Sequence, residues 1–452
     1  MLQDLRSEGD VNLSRLHTVW QNKLQGTEAS RFLERDKSQY IHQSLSTPCL
    51  DVLDRAEGVY LYAKSGKKYI DFHGNNVHQL GHRNPYIVDR IKAQMDVLPF
   101  SPRRFTNEPA IECAEKLASL MPSDLNRVLF APAGTLAVGM ALKLARVVTG
   151  KYKVVSVWDA FHGASMDAIA VGGEAQFRAG IGPLFPGVER IPPPMRYRGF
   201  FETDNDCIYA DYLEYVVQKE GDIGAFIIET IRNTDVQIPS LAYWKRVREI
   251  CDKYNILLIL DEIPIAFGRS GKMFAFEHFG IEPDIICIGK GMGGGIFPMA
   301  GIVARESFNI AKDISLGHYT HEKSPLGCVA TLATIEYIEQ NNILLKVQDD
   351  QAYIKERLNT LQSLYPSIGD IRGIGALWGI ELVKDRKTKE PASDLAETLL
   401  YQCLDNGLSF KVSKGNILQL SPPLTISRKE LDTSLDILEN AFKSSINYHK
   451  RM

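Results

Sequence analysis

The stretch DIICIGKGMGGGIFPMAG, residues Asp284 to Gly301, places one lysine at the end of an apolar run and follows it with glycines. Its centre, GKGMGG (residues 289–294), fits the dinucleotide-binding pattern G-x-G-x-x-G. In a dinucleotide fold that pattern opens a helix, whereas here Pro298 and β-branched residues favour an extended segment. No Ser or Thr follows Lys290, as a Walker loop would require. The stretch therefore predicts a lysine at the carboxyl end of a buried strand.

Short apolar runs alternate with amphipathic helical patterns around this stretch. The runs are RVLFAP, YKVVSVW, GAFIIET, ILLILDEI, DIICIG and MAGIVA, which begin at residues 127, 152, 224, 256, 284 and 299. Runs that are apolar throughout are typical of strands buried on both faces, and their alternation with helices indicates an α/β fold. Residues 100–327 therefore predict a helix-covered, mostly parallel sheet.

The two flanks of the chain have a different pattern. VYLYAKSGKKYIDF (residues 59–72) predicts a hairpin, and the residues after Gly327 predict two long helices, a strand in IGALWGIELV and a final helix. We expect the flanks to meet in a smaller α+β domain. On this interpretation residues 1–72 and 328–452 form the small domain, and residues 73–327 form the large domain.

Composition excludes several classes of protein. With 44% hydrophobic residues and a net charge of −3, the chain has no charge excess suited to nucleic acid or an anionic membrane. Its seven cysteines include no C-x-x-C pair, so neither a metal site nor a disulfide framework is expected. The first residues lack a continuous apolar stretch, and no later segment reaches the ~18 apolar residues of a membrane span. We expect a cytoplasmic enzyme.

A lysine can serve as a nucleophile. Its uncharged amine forms Schiff bases with carbonyl groups, as in enzymes that use pyridoxal 5'-phosphate. That cofactor also needs a carboxylate for its pyridine nitrogen, a phosphate cradle and an aromatic ring. The candidates are Asp261 at a strand end, Gly134 and Thr135 at a helix start, and Phe161 and His162 after a strand.

Each candidate also has an ordinary structural explanation. Gly-Thr before a helix is often a simple cap, Phe-His after a strand is often core packing, and a strand-end Asp is often a turn residue. All of them, however, fall at the carboxyl ends of successive strands, where α/β sheets bind ligands. Their combination favours a cofactor site.

These residues resemble the class III aminotransferase family of fold-type I pyridoxal-phosphate enzymes. The motifs that carry the resemblance are GKKYIDF, LGHRNP, GTLAVGMALKLAR, FHG, LDEIPIAFGRSG, GKGMGGG, SPLGCVATLATIE and LSPPL. The resemblance implies a large domain with a mostly parallel seven-stranded sheet and a smaller α+β domain. It also implies a homodimer with shared active sites.

The resemblance assigns roles to individual residues. Lys290 and Asp261 are the expected catalytic residues, as the Schiff-base lysine and the partner of the pyridine nitrogen. Phe161 and Ile263 would cover the two faces of the ring, and Thr320 would reach the phosphate of the neighbouring subunit. The expected cofactor-binding residues are Gly134, Thr135, Phe161, His162, Glu229, Asp261, Ile263, Lys290 and Thr320.

Departures from the family concern the substrate. Gln419 stands where relatives often have an arginine that binds the substrate α-carboxylate, and Thr234 stands where they have the glutamate that neutralises this arginine. Loss of an arginine clamp removes charge-assisted hydrogen bonds worth roughly 1.5–3 kcal/mol each. We therefore expect 2-oxoglutarate, the usual amino acceptor, to bind poorly.

Three arginines are candidates for a relocated anion site: Arg232, Arg103 and Arg104. A surface salt bridge is the equally weighted alternative for them. The resemblance to the branch of the family that needs no amino acceptor implies a carbon–nitrogen lyase that releases ammonia from a small phosphonate-bearing amine in phosphonate catabolism. The alternative is a class III aminotransferase of a primary amine, an ω-amino acid or 2-aminoethylphosphonate with a keto acid acceptor. A catalytically silent relative is a third hypothesis, which the intact Lys290 and Asp261 argue against.

Overall fold

Strands and helices alternate along the described part of the computed structural model, residues 14–42 and 49–449. The strands are β1 (Leu53–Glu57), β2 (Tyr60–Ala63), β3 (Lys68–Asp71), β4 (Leu125–Ala131), β5 (Lys153–Val157), β6 (Val188–Ile191), β7 (Ile223–Glu229), β8 (Leu257–Asp261), β9 (Ile285–Ile288), β10 (Ala300–Arg305), β11 (Ile368–Ile374), β12 (Leu377–Leu382), β13 (Leu408–Ser409), β14 (Lys411–Ser413) and β15 (Ile417–Leu420). The α-helices are α1 (Arg15–Lys23), α2 (Glu28–Gln39), α3 (Pro85–Val97), α4 (Glu108–Ser119), α5 (Gly134–Thr149), α6 (Met166–Val171), α7 (Ala175–Arg178), α8 (Cys207–Glu220), α9 (Leu241–Tyr254), α10 (Pro325–Gln340), α11 (Ile343–Leu364), α12 (Ser393–Asp405) and α13 (Arg428–His449).

A seven-stranded sheet has the order β4-β10-β9-β8-β7-β5-β6. β10 runs antiparallel to β4 and β9, and the remaining neighbouring pairs are parallel. The prediction of a mostly parallel seven-stranded sheet is confirmed. The six apolar runs correspond to β4, β5, β7, β8, β9 and β10, while β6 is the edge strand that no run indicated. The lysine stretch forms only a four-residue 3₁₀ turn, Lys290–Gly293, and then leads into β10, whereas the dinucleotide pattern opens an α-helix, so the dinucleotide reading fails here too.

Apolar content explains why these strands occupy the centre. Every residue of β7 and of β9 is buried, as expected of strands covered on both faces. α5 packs its apolar side chains, including Val138 and Leu144, into the same core as Ile259 and Ile302. The helix ends at Gly150, whose φ of 66° is the left-handed conformation that glycine adopts without strain.

The chain divides into two compact units. The large unit comprises Pro85–Asn233 and Gln237–Leu345, and the small unit comprises residues 234–236 and the described residues before Pro85 and after Leu345. In the small unit β13 pairs in parallel with β3, so the two flanks of the sequence do meet in an α+β unit. The predicted domain boundaries, after residues 72 and 327, differ from these divisions and remain a prediction.

The small unit contains two four-stranded sheets, β1-β2-β3-β13 and β11-β12-β15-β14. The antiparallel pair β2–β3 is the hairpin predicted from residues 59–72. The core of the small unit contains side chains from both flanks of the sequence, among them Trp20, Phe72 and Phe442. In the described part of the chain, no helix combines the length and apolar character that crossing a membrane requires.

Candidate active site

The carboxyl ends of β7, β8 and β9 bring the expected site residues together. Glu229 pairs with Asp261 across the sheet, and Asp261 pairs with Cys287. Lys290 follows Cys287 by three residues and begins a short helical turn, Lys290–Gly293. The register of three parallel strands therefore places the lysine and two carboxylates together at the carboxyl end of the sheet.

Lys290 has an unusual backbone conformation. Its φ of 47° lies in the left-handed region, which costs a non-glycine residue about 1–3 kcal/mol and recurs at functional sites. The preceding Gly289 is buried, and a Cβ there would lie 3.2 Å from Ala300 Cβ and 3.4 Å from Ile263 Cγ2. The close approach at Gly289 and the turn at Lys290 together fix where the lysine leaves the sheet.

Asp261 is a buried carboxylate with two donors. Its Oδ1 accepts from the Ile263 N–H at 3.0 Å, and its Oδ2 lies 2.8 Å from His162 Nδ1. Because a carboxylate accepts, Nδ1 of His162 carries the proton. The other ring nitrogen, Nε2, is buried without a hydrogen-bond partner among the described residues. Burying a carboxylate is costly unless it is paired, so this position suits a cationic ligand atom.

Glu229 connects β7 to the segment that carries Phe161. Its Oε1 accepts from the Phe161 N–H at 3.3 Å, and its Oε2 accepts from the Asn233 N–H at 3.1 Å. Burial raises the pKa of Glu229, and the positive charges of Arg232 and His162 act in the opposite direction. The Glu229 carboxylate therefore holds the backbone of Phe161 near the carboxyl end of the sheet, where Asp261 lies.

Glu262 was not singled out from the sequence, although it lies between Asp261 and Ile263. Its carboxylate accepts from the Thr230 hydroxyl at 2.9 Å and from the N–H groups of Ala275 and Phe276, each at 2.7 Å. Burial raises the pKa of Glu262 to about 7, despite these donors, which lower it. Glu262, between Asp261 and Ile263, therefore links Thr230, just after β7, to Ala275 and Phe276 in the segment after β8.

This raised pKa predicts a pH-dependent stability. Between its ordinary value of 4.5 and about 7, the folded state holds the Glu262 proton more tightly than the unfolded chain. We therefore expect the contribution of Glu262 to the free energy of unfolding to fall as pH rises through this window. Glu262→Gln cannot ionise and should lose that pH dependence, while Glu112→Gln, an exposed control, should keep it. Denaturant titrations at pH 5 and pH 8 measure this, and equal pH dependence in wild type and Glu262→Gln would contradict it.

The start of α5 offers backbone donors. Its N-cap residue, Ala133, has no side-chain acceptor, so the first N–H groups of the helix are available to another acceptor. Such N–H groups and the helix dipole favour a phosphate. A Cβ at Gly134 would lie 2.9 Å from Ile263 Cδ1, which shows how closely the helix start approaches the loop after β8.

The Thr135 hydroxyl is held by the segment after β5. It lies 2.6 Å from the Ser165 hydroxyl and accepts from the Ser165 N–H at 3.0 Å. The Ser165 hydroxyl in turn donates to the carboxylate of Asp167. The Thr135 hydroxyl therefore donates its hydrogen bond to the Ser165 hydroxyl. The donors that remain for a phosphate are the backbone N–H groups of Gly134 and Thr135.

The ring of Phe161 is partly buried beside a second aromatic ring. Its centroid lies 4.6 Å from that of Phe177, with the planes tilted by 44°. Phe177 belongs to α7, which the sequence did not associate with the site. Phe161 therefore has one side fixed by packing, as a stacking platform requires.

Arg232 is buried with a carboxylate partner. It is 6% exposed, and its Nη2 lies 3.0 Å from Oε1 of Glu174, which is 1% exposed. Nη2 also donates to the Asp159 carbonyl. The ion pair is internal, so the surface salt bridge considered as the alternative for Arg232 is wrong. Its partner, 58 residues earlier in the chain, gives no signal in the sequence.

Three other expected residues lie on the surface. Arg103, Arg104 and Thr320 are exposed, and Arg103 Nη2 lies 2.6 Å from His318 Nε2. The described contacts of Arg103 therefore lie in the segment that carries Thr320, rather than around Asp261. Gln419 and Thr234, the two departures from the family, are both buried.

The chain belongs to the class III aminotransferases, because the model of that family, Aminotransferase class-III, matches residues 41–442. It is 59% identical over 453 residues to (R)-1-hydroxy-2-aminoethylphosphonate ammonia-lyase from Vibrio splendidus (strain 12B01), covering 96% of this chain and 95% of that protein. Among solved structures, an (S)-enantioselective omega-transaminase from Thermomicrobium roseum is similar with a TM-score of 0.85 and 28% identity, over 92% of this chain and 98% of that one. Taurine:2-oxoglutarate aminotransferase from Bifidobacterium kashiwanohense, in complex with PLP and glutamate, matches with the same two values over 90% and 96%.

Class III aminotransferases use pyridoxal 5'-phosphate, and this chain is a pyridoxal-phosphate-dependent enzyme. The residues at the carboxyl end of the sheet fit the cofactor: a primary amine from Lys290, a buried carboxylate from Asp261 and the uncapped helix start at Gly134. The buried Nε2 of His162, which has no hydrogen-bond partner among the described residues, is consistent with a site that holds a further polar group.

Proposed function

We propose that this enzyme is an ammonia-lyase that converts (R)-1-hydroxy-2-aminoethylphosphonate into phosphonoacetaldehyde and ammonia. The observation that carries the proposal is the 59% identity, over 96% of the chain, to the Vibrio splendidus protein of that name. The alternative is a transaminase that passes the amino group to a keto acid. Family membership and the similarity to the Thermomicrobium roseum transaminase favour this alternative.

Specific residues would hold the cofactor. Lys290 would bind it covalently through Nζ, and Asp261, oriented by His162, would keep a proton on the pyridine nitrogen. The backbone N–H groups at the start of α5 would bind the phosphate, and two apolar side chains would contact the ring faces. The proposed set is Lys290, Asp261, His162, Gly134, Thr135, Phe161, Ile263, Glu229 and, from a neighbouring subunit, Thr320.

The proposed reaction needs a base that removes a proton from carbon and a group that stabilises the negative charge left behind. When bound, pyridoxal phosphate supplies an electron-withdrawing ring that makes the carbon next to the amine acidic. Lys290, once its amine is free, takes the proton from the aminomethyl carbon. The hydroxyl leaves the neighbouring carbon as water, and hydrolysis of the carbon–nitrogen bond then consumes one water and releases ammonia. The net change is loss of ammonia, without a second substrate.

Two buried residues support a lyase over a transaminase. A transaminase must bind an amino acceptor such as 2-oxoglutarate, and an arginine commonly provides the charge for its carboxylate. Gln419 and Thr234 occupy the corresponding positions here, and neither side chain carries a charge. A lyase requires no such acceptor, so its activity does not depend on that arginine.

A homodimer and a cytoplasmic location belong to the same proposal. Thr320 is exposed, and the ring of its neighbour His321 has its centroid 5.2 Å from that of Phe100, an apolar side chain that is 39% exposed. If a second copy of the chain covers this surface, Thr320 of one subunit would reach the cofactor site of the other. The seven cysteines are all free thiols, in keeping with a reducing compartment.

Incubation without a keto acid tests the proposed function. We expect purified holoenzyme to release many equivalents of ammonia from (R)-1-hydroxy-2-aminoethylphosphonate, with an equal amount of phosphonoacetaldehyde. Added pyruvate should not increase the rate, and Lys290→Ala should release ammonia only at a greatly reduced rate. One equivalent of product per active site, with turnover resuming only after pyruvate is added, would instead establish the transaminase.

A further inference from the structure

A short segment after β5 carries polar groups that the proposed reaction has not used. This segment, Gly173 to Arg178, packs against the carboxyl end of β5: the Gly173 N–H donates to the Ala160 carbonyl at 2.8 Å. A Cβ at Gly173 would lie 2.2 Å from the Val157 carbonyl oxygen, so the two backbones are in close contact. Phe177, within the segment, contacts Phe161. The segment therefore lies next to the proposed ring-stacking residue.

Two side chains flanking Phe177 have buried polar atoms without partners. Both amide atoms of Gln176, and Nε and Nη1 of Arg178, are inaccessible and have no hydrogen bond to any described residue. A buried polar group without a partner is destabilising, and a buried charged group is more so. Native proteins rarely keep such groups unless a ligand, ion or water pairs with them.

Positive charge accumulates around these atoms. The guanidinium carbons of Arg178 and Arg190 each lie 5.2 Å from the centroid of the Trp158 ring. Burial, together with the neighbouring charge of Arg178, lowers the pKa of Arg190 to about 10, although Glu189 acts in the opposite direction. Trp158 is 43% exposed, so the charged pair is not sealed from solvent.

The nearest carboxylate in the segment is already engaged. Glu174 forms the buried ion pair with Arg232, and neither Arg178 nor Arg190 forms an ion pair with a described carboxylate. Arg190 donates to the Gly172 carbonyl at 3.1 Å and to the Ala170 carbonyl, at the end of α6. Arg190 is therefore held in place as a fixed charge, and Arg178 retains donors for a ligand.

We propose that Arg178 and Gln176 bind the phosphonate of the substrate, with Arg190 adding positive charge. The inference rests on the proposed function, because it names the residues that recognise this substrate class. A guanidinium presents paired donors that match two oxygens of a phosphonate, and an amide N–H supplies a donor for the third. This assignment replaces Arg232 as the anion ligand, since Arg232 is occupied by Glu174.

Binding measurements with two amines test the assignment without requiring turnover. 2-Aminoethylphosphonate carries the amine and the phosphonate but has no hydroxyl to expel, and 1-aminopropane differs from it only by a methyl group in place of the phosphonate. Titration of holoenzyme with each amine, followed by cofactor absorbance, gives their dissociation constants. We expect Arg178→Gln to raise the constant of 2-aminoethylphosphonate by about 10- to 100-fold, the loss of one charged hydrogen-bond pair.

The remaining variants separate recognition from folding. Gln176→Leu should weaken 2-aminoethylphosphonate by about 2- to 10-fold, as for a neutral hydrogen bond, and Arg178→Lys should fall between Arg178→Gln and wild type. Arg196→Gln, an exposed control, should match wild type. 1-Aminopropane should bind all four variants as it binds wild type. Equal weakening of both amines by Arg178→Gln, or no weakening of either, overturns the anion site. Failure to release ammonia overturns the proposed function alone.

Discussion

Lys290→Ala is expected to lower kcat for ammonia release by roughly 10⁴-fold, because it removes both the covalent attachment and the base that takes the substrate proton. The substitution removes a side chain from a residue at φ 47°, and alanine tolerates that conformation no better than lysine. The buried strand ends on either side are unchanged. Steady-state rates with saturating cofactor give the loss, and far-UV circular dichroism checks the fold.

Two further measurements tie the loss to the amine. Borohydride reduction of wild-type holoenzyme, followed by peptide mass analysis, should place the cofactor mass on Lys290, whereas Lys312→Ala, an exposed control, should retain full activity. Methylamine added to Lys290→Ala should restore part of the rate, with a dependence on amine basicity. Reduction that labels another lysine, or a variant with near wild-type turnover, would refute the assignment.

The sheet was predictable because its central strands are apolar throughout. β7 and β9 are fully buried, so no polar residue interrupts their pattern. β6 escaped prediction because it is an edge strand of four residues, Val188–Ile191, of which only Ile191 is buried. With one buried residue in four, β6 lacks the continuous apolar run that indicated the other six strands, including the opposite edge strand β4.

The site was predictable where chemistry follows a strand end. Lys290, Asp261 and Glu229 each close or follow a buried strand, and parallel register then brings them together. Glu262 was missed because its partners are the Thr230 hydroxyl and the backbone N–H groups of Ala275 and Phe276, all distant from it in the sequence. Pairing of this kind depends on loop conformation, which hydrophobic periodicity does not encode.

The proposed anion ligands show the same limit more sharply. Counting charges along the sequence treats all arginines alike, so Arg232 and Arg103 stood out through their place in family motifs. Three-dimensional packing separates them: Glu174 neutralises Arg232, whereas Arg178 has no carboxylate partner in the described chain. Whether a buried charge is available to a ligand depends on its partners, and these are set by the tertiary fold.

Asp261→Asn is expected to lower kcat by roughly 10²- to 10³-fold, as for removal of one preorganised electrostatic group. Asparagine has the same shape and can still accept from the Ile263 N–H, so the local fold should persist. It cannot supply the negative charge that keeps a proton on the pyridine nitrogen. Glu229→Gln, the matched control in the adjacent strand, alters a carboxylate whose two described partners are backbone N–H groups, and should lower kcat far less.

A cofactor analogue decides whether the Asp261 effect passes through the pyridine nitrogen. Wild-type apoenzyme reconstituted with 1-deazapyridoxal phosphate, which has carbon in place of that nitrogen, should be about as slow as Asp261→Asn. Asp261→Asn reconstituted with the analogue should be no slower, because both changes remove one interaction and their effects do not add. If the two losses multiply, Asp261 acts elsewhere, through the His162 ring that lies 2.8 Å away. His162→Gln would then reproduce the Asp261→Asn rate, whereas an orienting role for His162 predicts a smaller loss.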